Sequence, residues 1–163
     1  MEPARTGNWF DSHIAVKAWS GKLTYPGPRD TVHTWAFLPD MARAMVGLAE
    51  IRSQFEVFEE FGFAGYALDG AALIKAVEDS VGQPMRARSM PWVLMRLLGV
   101  FSPTIREVME MRYLWRVPHR IDGTKLEAAL PAFQPTPVAE AIAACLAPHA
   151  PPAHRAKATR QIA

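Results

Sequence analysis

The chain has 163 residues, half of them apolar and 21% charged, a globular balance sized for one domain. That composition excludes a wholly disordered, collagen-like or disulfide-scaffold chain. Eighteen Lys and Arg against 16 Asp and Glu leave a net charge of +2, and the excess is local: Arg155, Lys157 and Arg160 lie in a closing stretch with no acid. Folded nucleic-acid readers carry their positive charge on a face of the fold, so this distribution points away from nucleic acid.

Residues 1–8 are polar, contain Pro and Gly, and read as a loop. From Trp9 to Trp19 the apolar residues Phe10, Ile14, Ala15, Ala18 and Trp19 recur at helical spacing, and Gly21 follows as a stop signal. Leu23 to Tyr25 suits a short strand, and Pro26-Gly27-Pro28 must turn. Residues 31–37, TVHTWAF, are β-branched and aromatic and predict a strand. Pro39 then opens a helix at no hydrogen-bond cost, and Asp40 suits its positive end. Met41, Met45, Leu48 and Ala49 form its apolar stripe, with an end near residues 51–53.

Residues 55–63, FEVFEEFGF, predict a strand, and 65–68 a loop. Asp69 is placed to cap a helix whose face is Leu73, Ile74, Val77 and Val81 and whose stop is Gly82. A short strand is expected at 85–88. An apolar helix follows at 91–100 through Trp92, Val93, Leu94, Leu97 and Leu98. Ser102-Pro103 starts another through Arg106, Met109 and Tyr113. Residues 124–130 make a short helix, and Thr136-Pro137 reads as N-cap and first helical residue of 138–146. Two links are of βαβ type, which predicts parallel pairing in part of a larger sheet. The expectation is an α/β chain, a mixed α+β fragment with a partial parallel sheet and a helical C-terminal lobe. It divides into a loop (1–8), a folded domain (9–146) and a disordered Pro/Ala-rich basic tail (147–163).

Cys145 is the only cysteine, so no internal disulfide or CxxC site exists; beside Ile142 and Leu146 it reads as a structural thiol. The five histidines share no metal-ligand spacing, so no metal is expected. No apolar run approaches the roughly 18 residues of a membrane span, and MEPARTGNWF has no signal-peptide core. The expected setting is cytoplasmic, with no membrane partner.

Several phrases then carry a resemblance. TVHTWAFLPDMARAM resembles the strand-to-helix passage of the extended short-chain dehydrogenase/reductase family, in its NAD-dependent epimerase/dehydratase group. FEEFGFAGYALDGAALIKAVEDSVGQP is similar to that family's next unit. RSMPWVLMRLLGVFSPTIREVMEMRYLW and QPTPVAEAIAACL look like its helical substrate lobe and final helix. The likeness runs over residues 7–146 and covers the family's C-terminal, substrate-binding half. It implies an incomplete Rossmann-type architecture.

The family's nucleotide half begins with a glycine-rich turn that cradles the coenzyme pyrophosphate. Gly62, Gly65 and Gly70 follow the wrong strand at the wrong spacing. The family also uses a Tyr-x-x-x-Lys pair. Four residues after Tyr25, Tyr66 and Tyr113 stand Arg29, Gly70 and Val117, so the pair is missing. The expectation is that this chain holds no catalytic residue and no cofactor alone, NAD(P) being implied for the full-length family. The implied partners are a small-molecule substrate and either a chain supplying the Rossmann half or a second copy in a homodimer. The alternative reading is a non-catalytic interaction or dimerisation module derived from that family. The opening MEPARTG, just before the likeness starts, fits a longer gene product.

By position in the motifs, the substrate side would draw on Trp9, Phe10, His33, Trp35, Arg106 and Tyr113. Each has a plainer reading. Trp9 and Phe10 suit a core, and His33 and Trp35 a packed strand face. Arg106 suits an anionic substrate group or a surface pair with Glu110. Asp40 reads first as a helix-terminal charge. Met85, Met90, Met95, Met109 and Met111 read as gap-filling core. Arg112, Arg116, His119 and Arg120 form a basic cluster around Tyr113 and Trp115, either a phosphate-binding surface or a solvated edge.

Overall fold

A computed structural model describes residues 10–152. The loop assigned to residues 1–8, the pocket or core role of Trp9, and most of the basic tail lie outside the described residues.

The described residues open on a π-helical turn, Phe10–Ala15, that runs into the short helix α1 (Val16–Ala18). Gly21 takes φ +69°, a left-handed conformation that a side chain would strain, and lets the chain turn directly into strand β1 (Lys22–Tyr25). Leu23 and Tyr25 alternate inward along β1 and are buried. β1 pairs in parallel with β4 (Arg86–Ser89), from Lys22 opposite Arg86 to Tyr25 opposite Ser89. A second pair, β2 (Val32–Trp35) with β3 (Tyr66–Asp69), is antiparallel, with His33 opposite Leu68. The described residues therefore hold two two-stranded sheets.

Helix α3 (Gly70–Val81) follows β3 as its sequence signals require. Asp69 Oδ1 accepts a hydrogen bond from the Ala72 N–H at 2.7 Å, and Gly82 at φ +74° closes the helix. Leu73, Ile74 and Val77 of α3 pack with Ile142 and Leu146 of α7 (Val138–Leu146). Ile14, Ala15, Ala18, Leu23 and Tyr25 complete this core. Each fully buried large aliphatic side chain there contributes roughly 1.5–3 kcal/mol. The Trp19 indole N–H donates to the Leu146 carbonyl at 3.0 Å and ties the opening turn to the end of α7.

Several expectations change. Residues 55–63 form no strand; the ladder partner of β2 is Tyr66–Asp69, where a loop was expected. The aromatic residues of 55–63 are used in loop packing instead. Phe55 packs tilted against Phe61, Lys125 sits over Phe61 and pairs with Glu59, and a Cβ on Gly62 would meet the Asp122 carbonyl. This detour also reverses the chain, so the β2–β3 link yields antiparallel rather than parallel pairing. Gly65, at φ +54°, presses against the Trp35 carbonyl as the chain doubles back.

The second change concerns helix α2 (Leu38–Glu50). Its inward face is Asp40 and Ala44, and the expected stripe is turned outward, with Met45 63% exposed and Leu38, Met41 and Val46 also exposed. Third, the apolar helix α4 (Trp92–Leu98) packs on α5 (Pro103–Glu110) but leaves most of its apolar side chains in solvent. Phe101, in the turn between them, is 88% exposed. The helix expected through Tyr113 ends at Glu110 and continues as a 3-10 turn, Met111–Trp115. Fourth, Thr136 does not cap α7. Pro137, with extended ψ of 141°, occupies the cap position, and the Thr136 side chain turns to Asp40.

The methionines divide: Met90 is buried, whereas Met111 is exposed. No helix among the described residues is long and apolar enough to cross a membrane.

Candidate functional site

Two constellations gather the chemistry-bearing side chains. The first is built on β2, where period-2 alternation turns His33 inward. His33 is only 3% exposed. The 3-10 turn Met111–Trp115 lays Trp115 across it. The indole meets His33 edge-on at 5.5 Å between centroids and Tyr25 edge-on at 5.9 Å, and lies tilted to Trp35 at 6.1 Å. Such aromatic pairs contribute about 0.5–1.5 kcal/mol each beyond area burial. The next segment is pinned to the strand, because the His119 N–H donates to the Val32 carbonyl at 3.1 Å.

His33 Nδ1 lies 3.2 Å from His119 Nδ1. A hydrogen bond between two ring nitrogens needs one N–H and one lone pair, so the pair is held in complementary tautomers. Burial lowers the His33 pKa, the neighbouring His119 lowers it further, and the Trp115 backbone partly opposes both. The folded state thus binds a proton less readily than the unfolded chain. Stability therefore falls as pH drops below the ordinary value of 6.5 toward the folded pKa. His33→Phe is expected to flatten the pH dependence of thermal unfolding in that window; an unchanged slope would rule out the pair as its source.

The second constellation surrounds Asp40, in the first turn of α2 and 1% exposed. The Arg43 guanidinium donates to Oδ1 at 2.6 Å, and Thr136 donates through its backbone N–H to Oδ2 and its hydroxyl to Oδ1, both at 2.7 Å. The Tyr66 hydroxyl donates to the Thr136 carbonyl at 2.6 Å. Burial opposes ionisation of Asp40, but the hydrogen bonds from Arg43 and Thr136 outweigh it and hold the carboxyl below its ordinary value. A cavity of about 320 Å³ opens beside this clasp, lined by Tyr66, Phe63, Leu126 and Phe133 among others.

Of the expected substrate-side residues, the structure brings together His33 and Trp35, both against Trp115. It covers His33 with Trp115 and His119. Phe10 packs against the main core, which matches its plainer reading. Arg106 and Tyr113 are exposed and join neither constellation. Arg106 makes no ion pair with Glu110. Asp40 holds its expected place as an acid in the first turn of α2 and is also a buried anchor: Arg43 and the Thr136 N–H and hydroxyl donate to it, and the Tyr66 hydroxyl lies 3.4 Å from its Oδ2. Sequence reasoning did not single out Trp115 as the hub, and its one signal was its place within the Arg112–Arg120 cluster. Cys145 is half-buried, and burial followed by the charge of Asp11 pushes its thiol up.

A coenzyme pyrophosphate needs free N–H groups at a helix start behind a glycine turn. The β3–α3 junction has that outline, but its donors are taken. The Ala71 N–H donates to the Arg29 carbonyl at 2.9 Å and the Ala72 N–H to the Asp69 carboxylate. A Cβ on Gly70 would fall 2.6 Å from the Tyr25 ring, so this glycine serves packing. These residues do not fit a dinucleotide pyrophosphate. Burial also raises both Tyr25, helped by Asp69, and Tyr66, helped by Asp40, to about 12. A proton-transfer tyrosine needs the opposite shift.

Among the described residues no group of three or more His, Cys, Asp or Glu is placed to hold a metal ion. Comparison with family models, with curated proteins and with solved structures gave no match to this chain.

Proposed function

We propose that this chain is the substrate-side lobe of an oxidoreductase- or epimerase-like assembly whose nicotinamide coenzyme, NAD(P), is gripped by residues other than these 163. The reading rests on the resemblance to the C-terminal half of the extended short-chain dehydrogenase/reductases, with its incomplete Rossmann-type architecture. The observation that supports it best is the outward apolar stripe of α2, where Leu38, Met41, Met45 and Val46 meet water. A contiguous apolar face on a folded unit is an interface waiting for a partner. The isolated parallel pair β1–β4 points the same way, since parallel strands normally sit inside larger covered sheets. The occupied donors at the start of α3 support a reading in which this lobe does not grip the coenzyme. The small-molecule substrate would meet this lobe on the side of β2 and the 3-10 turn.

Calorimetric titration of NADH and NADPH into the isolated chain tests this division of labour. No micromolar binding is expected from either, and clear micromolar binding by the chain alone overturns it.

The same exposure supports a second reading, a dimerisation or interaction module without catalysis. The α4–α5 pair favours it, because Val93, Leu97 and Phe101 stand exposed on a helical hairpin that needs no coenzyme to find a mate.

A further inference from the structure

The basic cluster of the C-terminal lobe is left unused by both readings above, and part of it lines a cleft. The Pro26-Gly27-Pro28 turn forms one wall. It is held in place by the Trp92 indole N–H, which donates to the Pro26 carbonyl at 2.8 Å. The 3-10 turn forms the other wall and lies in direct contact with the first: a Cβ on Gly27 would fall 2.5 Å from the Trp115 carbonyl. Only glycine permits that approach. The cleft between these walls encloses about 220 Å³ and is lined by Ser89, Trp92, Arg112 and Arg116 with the turn itself.

Its charge is unbalanced. No carboxylate lines it. Neither Arg112 nor Arg116 makes an ion pair among the described residues. The Arg112 guanidinium lies over the Trp92 ring, its Cζ 5.6 Å from the centroid, a cation–π contact that holds it beside the cleft. Its Nε–H is buried with no acceptor. A buried donor without an acceptor costs free energy that an incoming anion would recover. Two guanidinium forks and a serine hydroxyl supply the planar, doubly charged donor set that suits a phosphoryl dianion; one fork would have sufficed for a carboxylate.

We propose that the cleft between the Pro26–Pro28 turn and the 3-10 turn is a phosphoryl-binding site, with Arg112 and Arg116 as its anchors. Arg112 supplies a fork stacked on Trp92 with an unpaired Nε–H, Arg116 a second charge from the solvent side, and Ser89 a neutral donor. The phosphoryl group belongs either to a soluble phosphorylated molecule or to a lipid headgroup. The apolar side chains of α4 begin one residue beyond Trp92, so a headgroup would leave its acyl chains beside Val93 and Leu94.

Inorganic phosphate titrated against chloride at matched ionic strength tests the site, read by the Arg Nε–H resonances of the folded chain. A saturable shift of the Arg112 Nε–H is expected. Arg112→Gln and Arg116→Gln should each weaken binding about tenfold, and Arg116→Lys, which keeps the charge but loses the fork, should fall between. Because Arg116 is exposed, its variants report binding even if Arg112→Gln fails to fold. A second arm uses vesicles of phosphatidylcholine with and without phosphatidate. Phosphatidate-dependent co-sedimentation lost in Arg116→Gln assigns a headgroup; a phosphate response without co-sedimentation assigns a soluble ligand. The absence of a saturable response to phosphate, or affinity unchanged in the Arg116 variants, overturns the proposal.

Discussion

Asp40→Ala is expected to destabilise the fold by about 3 kcal/mol, the scale for removing one partner of a buried charge network. The carboxylate is 1% exposed and accepts from Arg43 and twice from Thr136. Its removal strands the Thr136 N–H and hydroxyl and frees the segment that leads into α7. Arg43 loses little by itself, because its side chain is half-exposed and can be solvated. Thr136→Val, which keeps the backbone donor and removes the hydroxyl, should cost about 1 kcal/mol. The pH dependence follows from the depressed pKa of Asp40. Its contribution is fully present above the ordinary value of 3.8 and is lost as pH falls through the folded value. Urea denaturation of both variants near pH 7 and near pH 4 checks the order. Equal stability of Asp40→Ala and the parent would show that the clasp holds nothing.

Leu146→Ala should have a similar effect for a different reason. Leu146 is 0% exposed between α7 and α3, so truncation leaves a cavity and costs about 3 kcal/mol. For a chain of this size that lowers the unfolding temperature by roughly 10 °C. Met45→Ala is its control. Met45 sits in an equally regular apolar stripe, but it is 63% exposed, and its truncation should change stability by less than about 0.5 kcal/mol. The contrast separates an apolar stripe that packs within this chain from one that does not. A cost at Met45 equal to that at Leu146 would mean the α2 face is already covered.

That contrast also shows where sequence reading succeeds. α3 was legible in full, because its cap, its face and its glycine stop are local signals, and each acts locally in the structure. β1, β2, α2, the short helix α6 (Thr124–Ala129) and α7 were legible from local composition and periodicity, although the Thr136 cap expected of α7 is not made. Residues 55–63 misled because aromatic richness says that a segment packs, not that it pairs in a ladder. Phe61 and Glu59 satisfy themselves against Lys125, 64 and more residues away in sequence. The Met41 and Met45 stripe has helical periodicity, which fixes the helix but not which of its faces finds a neighbour. Asp40 was ambiguous because a first-turn acid serves the helix dipole or a tertiary clasp equally well, and only the arrival of Thr136 decides.

The candidate sites were less legible than the elements. His33 and Trp35 were paired correctly on one strand. Their convergence on Trp115 spans some eighty residues, and no spacing rule encodes it. Arg106 and Tyr113 were placed on one helix, but that helix ends at Glu110 and Tyr113 falls in the 3-10 turn that follows. The glycines near α3 were set aside as a pyrophosphate loop on their spacing and the strand they follow; in the structure Asp69 and Arg29 accept the Ala72 and Ala71 N–H groups at that helix start.

Sedimentation velocity over a wide range of protein concentration bears most directly on the unmet surfaces of α2 and the α4–α5 hairpin. The expected result is a mass that climbs with concentration, reduced in a Met45→Lys, Phe101→Lys double variant. A particle of one chain's mass at every concentration, with a sharp thermal transition, would contradict it.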